Sequence, residues 1–95
     1  MFIIDVTYLV PLETVDAHLP GHIDFLNEQM AAGVFMASGR KVPRVGGVIL
    51  ARGVTRETLL ALLERDPFKV HGVAEYRVVE VDARNCAPGF ENLLG

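Results

Sequence analysis

The sequence predicts an α+β fold of βαββαβ order, and three observations carry the prediction. Period-two alternation occupies both ends of the ordered chain, at Phe2 to Val10 and at Val73 to Asp82. Two stretches of helical period lie between them, at Leu12 to Ala32 and after Thr55. In the middle, two apolar runs flank a loop bearing glycine and proline, the pattern of a hairpin. A chain of 95 residues without an internal repeat or linker is one domain, spanning 1–95 with 83–95 as a C-terminal tail.

Each element has its own signature. In the first strand Phe2, Ile4, Val6, Tyr8 and Val10 share one face, while Ile3 and Leu9 sit on the other beside Asp5 and Thr7, so both faces carry apolar residues. Leu19, Ile23, Leu26 and Met30 then recur at spacings of 3 and 4, the buried stripe of a helix, with Gly33 as its cap. Pro20, which lacks a backbone donor, predicts a kink or a restart within it. Val34 to Ser38 and Gly46 to Arg52 read as strands joined by the loop from Gly39 to Val45. Thr55 is placed to cap the second helix, with Val54 and Leu59 as a hydrophobic staple and Leu59, Leu62 and Leu63 as its buried stripe. That helix is expected to end at Asp66, because a residue before proline is pushed out of the helical region.

This order is the split-βαβ, ferredoxin-like plan, in which two helices cover one face of a four-stranded antiparallel sheet. The other face needs a cover too, since Val48, Ile49 and Leu50 make the third strand apolar on both sides as well. A second copy packed sheet to sheet as a two-fold homodimer is the simplest source.

Composition narrows the function. Nine basic and twelve acidic residues leave a net charge of −3, so no overall positive field exists to hold nucleic acid or an anionic membrane surface. No run approaches the roughly 18 apolar residues of a bilayer span, and the N-terminal strand has neither a basic flank nor a cleavage site. The single cysteine, Cys86, leaves no intramolecular disulfide and points to a cytoplasmic protein.

Tracing the chain up and down the sheet brings the first strand–helix junction, the hairpin loop and the Asp66-Pro67-Phe68 junction to one end. That end collects His18, His22, Ser38, Arg40, Lys41, Arg44 and Asp66. His22 lies about 60° around the helix from Leu19, at the border of the buried stripe, within reach of a cleft. Paired with Asp66 it has the makings of a general acid or base, since a carboxylate fixes the tautomer of an imidazole and favours its protonated form. The plainer reading has His22 bonding a backbone carbonyl and Asp66 capping a turn. A metal site on His18 and His22 is not expected: no glutamate lies between them and only Asp66 offers a third ligand. Arg40, Lys41 and Arg44 form a basic loop able to hold a carboxylate, or simply a solvated hairpin tip. Gly46 and Gly47, outside any phosphate-binding motif, are expected either to open the third strand or to allow a close approach of backbones.

The segments His18-Leu19-Pro20-Gly21-His22, Ala37-Ser38-Gly39, Val42 through Leu50, and Asp66-Pro67-Phe68 together resemble the YciI-like (YCII-related) family over nearly the whole chain. The resemblance implies a dimeric α+β barrel of ferredoxin-like subunits, as in muconolactone isomerase relatives, with a histidine–aspartate site. Residue by residue, the family histidine falls on His22 and the aspartate on Asp66, while Ser38 and Gly39 match the start of the hairpin that lines the pocket. Many relatives carry Gly-Pro after the serine where this chain has Gly39-Arg40.

The expected function is therefore a small enzyme without cofactor or metal, using His22 and Asp66 for proton abstraction or elimination on a compact acidic or oxygenated molecule. Ser38, Gly39 and Arg44 would bind the substrate. A non-catalytic ligand-binding or interaction module on the same barrel is the competing class, and a structural dimer with a vestigial pocket is the third. A His22 nitrogen bonded to Asp66 and facing an open cleft favours the first.

Overall fold

A computed structural model describes residues 1–94. The strands are β1 (Phe2–Tyr8), β2 (Phe35–Arg40), β3 (Gly46–Ala51) and β4 (Ala74–Glu80). The helices are α1 (Leu12–Ala31), α2 (Arg56–Leu63) and a single turn, α3 (Pro67–Val70), with a short 3-10 turn at Glu91–Leu94. All pairings are antiparallel, in the order β2-β3-β1-β4, so the α+β, ferredoxin-like arrangement expected from the sequence is the one observed.

Alternation along β1 explains the layering. Phe2, Ile4 and Val6 are buried beneath the helices, and their partners Ala51, Ile49 and Gly47 on β3, with Glu80, Val78 and Tyr76 on β4, share that face. Leu59 and Leu63 of α2 and Val15 and Phe25 of α1 close the core from above. Each such side chain contributes roughly 1.5–3 kcal/mol relative to exposure. The opposite face carries Ile3, Val48, Leu50 and Val79 among Asp5, Thr7, Glu75 and Arg77, with Val48 and Val79 exposed.

Three details differ from the sequence expectations. First, α1 continues through Pro20 as one helix, so the chain does not restart there. Pro20 stands on the exposed side of the helix, as does Asp16, the residue whose carbonyl loses its helical donor there. Second, the buried stripe of α1 is Val15, His22, Phe25 and Gln29, flanked by half-buried Leu19, Leu26 and Met30, while Ile23 is exposed. His22 thus stands in the middle of the stripe, not at its border. Third, α2 stops at Leu63, and Asp66 begins a new turn of helix instead of ending the old one. The Thr55 cap is as expected, its hydroxyl accepting from the Thr58 amide at 3.2 Å.

The hairpin is also tighter than expected, since Gly39 and Arg40 continue β2. Gly46 has no room for a side chain, because a Cβ there would lie 1.8 Å from the Val6 carbonyl oxygen. β1 ends where the Tyr8 amide donates to the Val45 carbonyl at 2.9 Å and the Leu9 amide to Val73 at 2.8 Å. Those two bonds draw the hairpin loop and the segment after α3 to the same end of β1.

Candidate functional site

At that end His22 and Asp66, 44 residues apart in sequence, come together. Nδ1 of His22 lies 2.8 Å from Oδ1 and 2.9 Å from Oδ2 of Asp66, and Asp66 is entirely buried. Helical phase points His22 inward. Gly21 lets α1 come close enough, since a Cβ there would lie 3.2 Å from the Pro67 ring. Asp66 is oriented by its own backbone: as the N-cap of α3 it accepts the Phe68 amide on Oδ1 at 3.0 Å, with Pro67 at the first helical position, where no donor is lost. The capping reading of Asp66 and its pairing with His22 are therefore both realised in one carboxylate.

Phe68 completes the triplet. Its ring stacks on the His22 imidazole at 3.9 Å between centroids and 5° between planes, and Tyr8 meets it edge-on at 6.0 Å. A third donor reaches the carboxylate from β4, where the Tyr76 hydroxyl donates to Oδ2 of Asp66. Burial, reinforced by the neighbouring Asp66 charge, pushes the Tyr76 phenol well above its ordinary range, so it remains a donor.

An ionised carboxylate only accepts hydrogen bonds, which places the proton of neutral His22 on Nδ1. Nε2 then carries the free lone pair, with no protein partner among the described residues. His22 lines a cavity of about 170 Å³ whose apolar walls include Leu19, Leu26, Ile49 and Phe68. Its polar side is Ser38, Gly39 and Arg40. Chemically, the site offers a nitrogen base held in one tautomer beside an apolar slot with a cation and a hydroxyl at its edge.

The remaining sequence candidates lie elsewhere. Arg44 is not among the cavity residues: its Nη2 donates to Asp16 Oδ1 at 2.5 Å, tying the hairpin loop to α1. That bond holds the Asp16 carboxyl below its ordinary range and raises the guanidinium. Lys41 pairs with Asp5 at 2.5 Å. His18 stacks on His71, ring centroids 4.2 Å apart, and no group of three or more metal-ligating side chains occurs among the described residues. Cys86 is a free, half-buried thiol in the tail. Sequence reasoning missed the roles of Phe68 and Tyr76. The available signal for Tyr76 was its phase: it alternates onto the buried face of β4, where a phenol needs a partner for its hydroxyl.

The YCII-related domain matches residues 1–82, from the start of the chain to just beyond β4. The chain belongs to the YCII-related family. Among curated proteins none matches it. A similar solved structure is 5-chloro-2-hydroxyhydroquinone dehydrochlorinase (TftG) from Burkholderia phenoliruptrix AC1100, in complex with 2,5-dihydroxybenzoquinone. It has 15% identity and a TM-score of 0.70, with 85% of this chain and 93% of that one covered. At that identity the likeness is one of fold, and it puts this YCII-related chain on the same ferredoxin-like architecture. Among the described residues no helix is long and apolar enough to cross a membrane.

Proposed function

We propose that this YCII-related protein is a small enzyme that needs no cofactor and uses His22 as a general base or acid, oriented by Asp66. The reaction is proton abstraction or elimination on a compact acidic or oxygenated organic molecule. One observation carries the reading: Nδ1 of His22 is taken by a buried carboxylate while the ring borders a cavity, the division of labour an acid–base histidine requires. The cavity, about 170 Å³, suits a molecule the size of a single ring. Ser38 and the Gly39 backbone are proposed to meet its oxygen atoms, with Arg40, rather than Arg44, supplying positive charge. A fold neighbour described as a dehydrochlorinase and holding a dihydroxybenzoquinone is in keeping with elimination on an oxygenated ring.

The test is turnover per folded molecule against a panel of small hydroxylated and carboxylated rings. His22→Ala is expected to lower turnover by about 10²- to 10⁴-fold with ligand affinity little changed. Asp66→Asn should keep the fold and also weaken activity, because the amide supplies no charge to stabilise a protonated imidazole. Unchanged turnover in His22→Ala across the pH range rules out the mechanism, and retained binding without any turnover in the parent favours the ligand-binding module.

The same reading includes a homodimer formed through the helix-free sheet face, supported by Ile3, Val48, Leu50 and Val79 on that side. Such an interface should bury at least roughly 1,200 Å² in total. Sedimentation equilibrium at micromolar concentration is expected to return twice the chain mass, and Val48→Lys to return the chain mass. A parent that sediments as a monomer excludes the dimer.

A further inference from the structure

Asp66 is gripped from two sides. His22 comes from α1, and Tyr76 comes from β4, whose hydroxyl meets Oδ2. Tyr76 stands opposite Val6 of β1, on the helix-facing side of the sheet. Its other flank borders a second cavity lined by Arg56, Leu60, Glu64 and Lys69, so the phenol stands between that cavity and the buried carboxylate. The tyrosine is not among the residues that line the His22 cavity.

We infer that Tyr76 is a positioning residue that sets how much of the Asp66 carboxylate charge reaches His22. The inference rests on the acid–base reading of the site and adds a residue to it. A phenol donating to a carboxylate spreads its negative charge into the O–H bond, and a carboxylate so occupied stabilises a neighbouring imidazolium less. Since Phe68 already donates its amide to Oδ1, the Tyr76 hydroxyl is the donor that keeps Oδ2 from serving His22 alone. It also fixes the rotation of the carboxyl group, and with it the direction in which Nδ1 is held. Phenol ionisation plays no part, because burial beside Asp66 keeps the proton on the oxygen.

Other ionisable groups face this cluster and remain constant in the test. They are His18 on α1, Lys69 and His71 on or just after α3, Tyr8 on β1 and Arg40 on β2, with Arg56 and Glu64 of the α2 region on the far side of Tyr76. Lys69 lies 6.0 Å from the centroid of the Tyr76 ring, a contact that a phenylalanine ring preserves.

The experiment follows the ring nitrogens of His22 by NMR across pH. Tyr76→Phe keeps the ring and removes only the donor. His22 is then expected to bind its proton roughly 3- to 10-fold more tightly, an upward displacement of about half to one pH unit, as the freed carboxylate acts on it alone. The pH profile of turnover should move with it. Placing 3-fluorotyrosine at position 76, a stronger donor in the same space, should move the titration the opposite way and keeps the test alive if the phenylalanine form folds poorly. In an Asp66→Asn background, Tyr76→Phe should produce no further displacement. A His22 titration unmoved by both changes at position 76, or one displaced equally with Asp66 replaced, overturns the role. The titration is read without substrate, so a failure of Tyr76 is distinct from a failure of the acid–base reading, which turnover in His22→Ala decides.

Discussion

Two acid–base contacts join α1 to distant parts of the chain at the same end of the molecule, and their lengths are similar: 2.8 Å for His22–Asp66 and 2.5 Å for Arg44–Asp16. Their surroundings are not. Asp66 is sealed from solvent and satisfies three donors, whereas the Arg44 and Asp16 side chains are 24% and 52% exposed. Water competes for the second pair at every moment and screens its charge, so its proximity translates into little free energy. In the first pair the donors have no alternative partner. The comparison teaches that the worth of an ion pair here is set by what each group does when its partner is removed, and that distance alone does not rank the two.

Removing the buried partner is the strongest way to probe that difference. Asp66→Ala strands the Phe68 amide and the Tyr76 hydroxyl, leaves His22 without its carboxylate and takes the cap from α3. A loss of about 3 to 5 kcal/mol is expected in urea unfolding, the usual cost of breaking a buried pair. A loss no larger than that of an exposed pair would erase the contrast.

The exposed pair supplies the small effect. Asp16→Asn should shift the unfolding midpoint only slightly. The Arg44 bond lowers the folded-state affinity of Asp16 for a proton, so the stabilisation is fully present above the ordinary aspartate value of 3.8 and is lost as pH falls through the lowered one. Parent and Asp16→Asn unfolding curves should therefore differ most near neutral pH in low salt and merge in strong acid. They should also merge near 1 M salt, where the screening length is about 3 Å. Persistence of the difference in high salt would show the hairpin tether to be more than a screened surface contact.

The two regions were also unequally readable in the sequence. Strand alternation and the Thr55 cap come from local chemistry, and the topology that follows from them is enough to bring His22 and Asp66 to one end. The phase of α1 was not readable, because the centre of its buried stripe holds His22 and Gln29, and a search for apolar spacing slides to the neighbouring Leu19, Ile23, Leu26 and Met30. The turn α3, at four residues, is shorter than any window in which helical period can register. Tyr76 looked like any strand aromatic until its hydroxyl acquired an address. Arg44 is legible only in its charge: its partner Asp16 lies 28 residues earlier on another element, and the pairing depends on a fold the sequence describes only coarsely.

The double duty of Asp66 bears on how such a site can change over generations. A lineage that has no use for the proposed reaction would ordinarily let its aspartate drift. Here the residue also opens α3 and holds the Phe68 amide, so most replacements at position 66 are opposed by the fold itself. His22 carries no such second duty on the backbone and is freer to vary. Relatives without the proposed chemistry should thus have discarded the histidine before the aspartate, and those that acquire another inherit a carboxyl anchor already in place, needing only a different side chain on α1 to work against it.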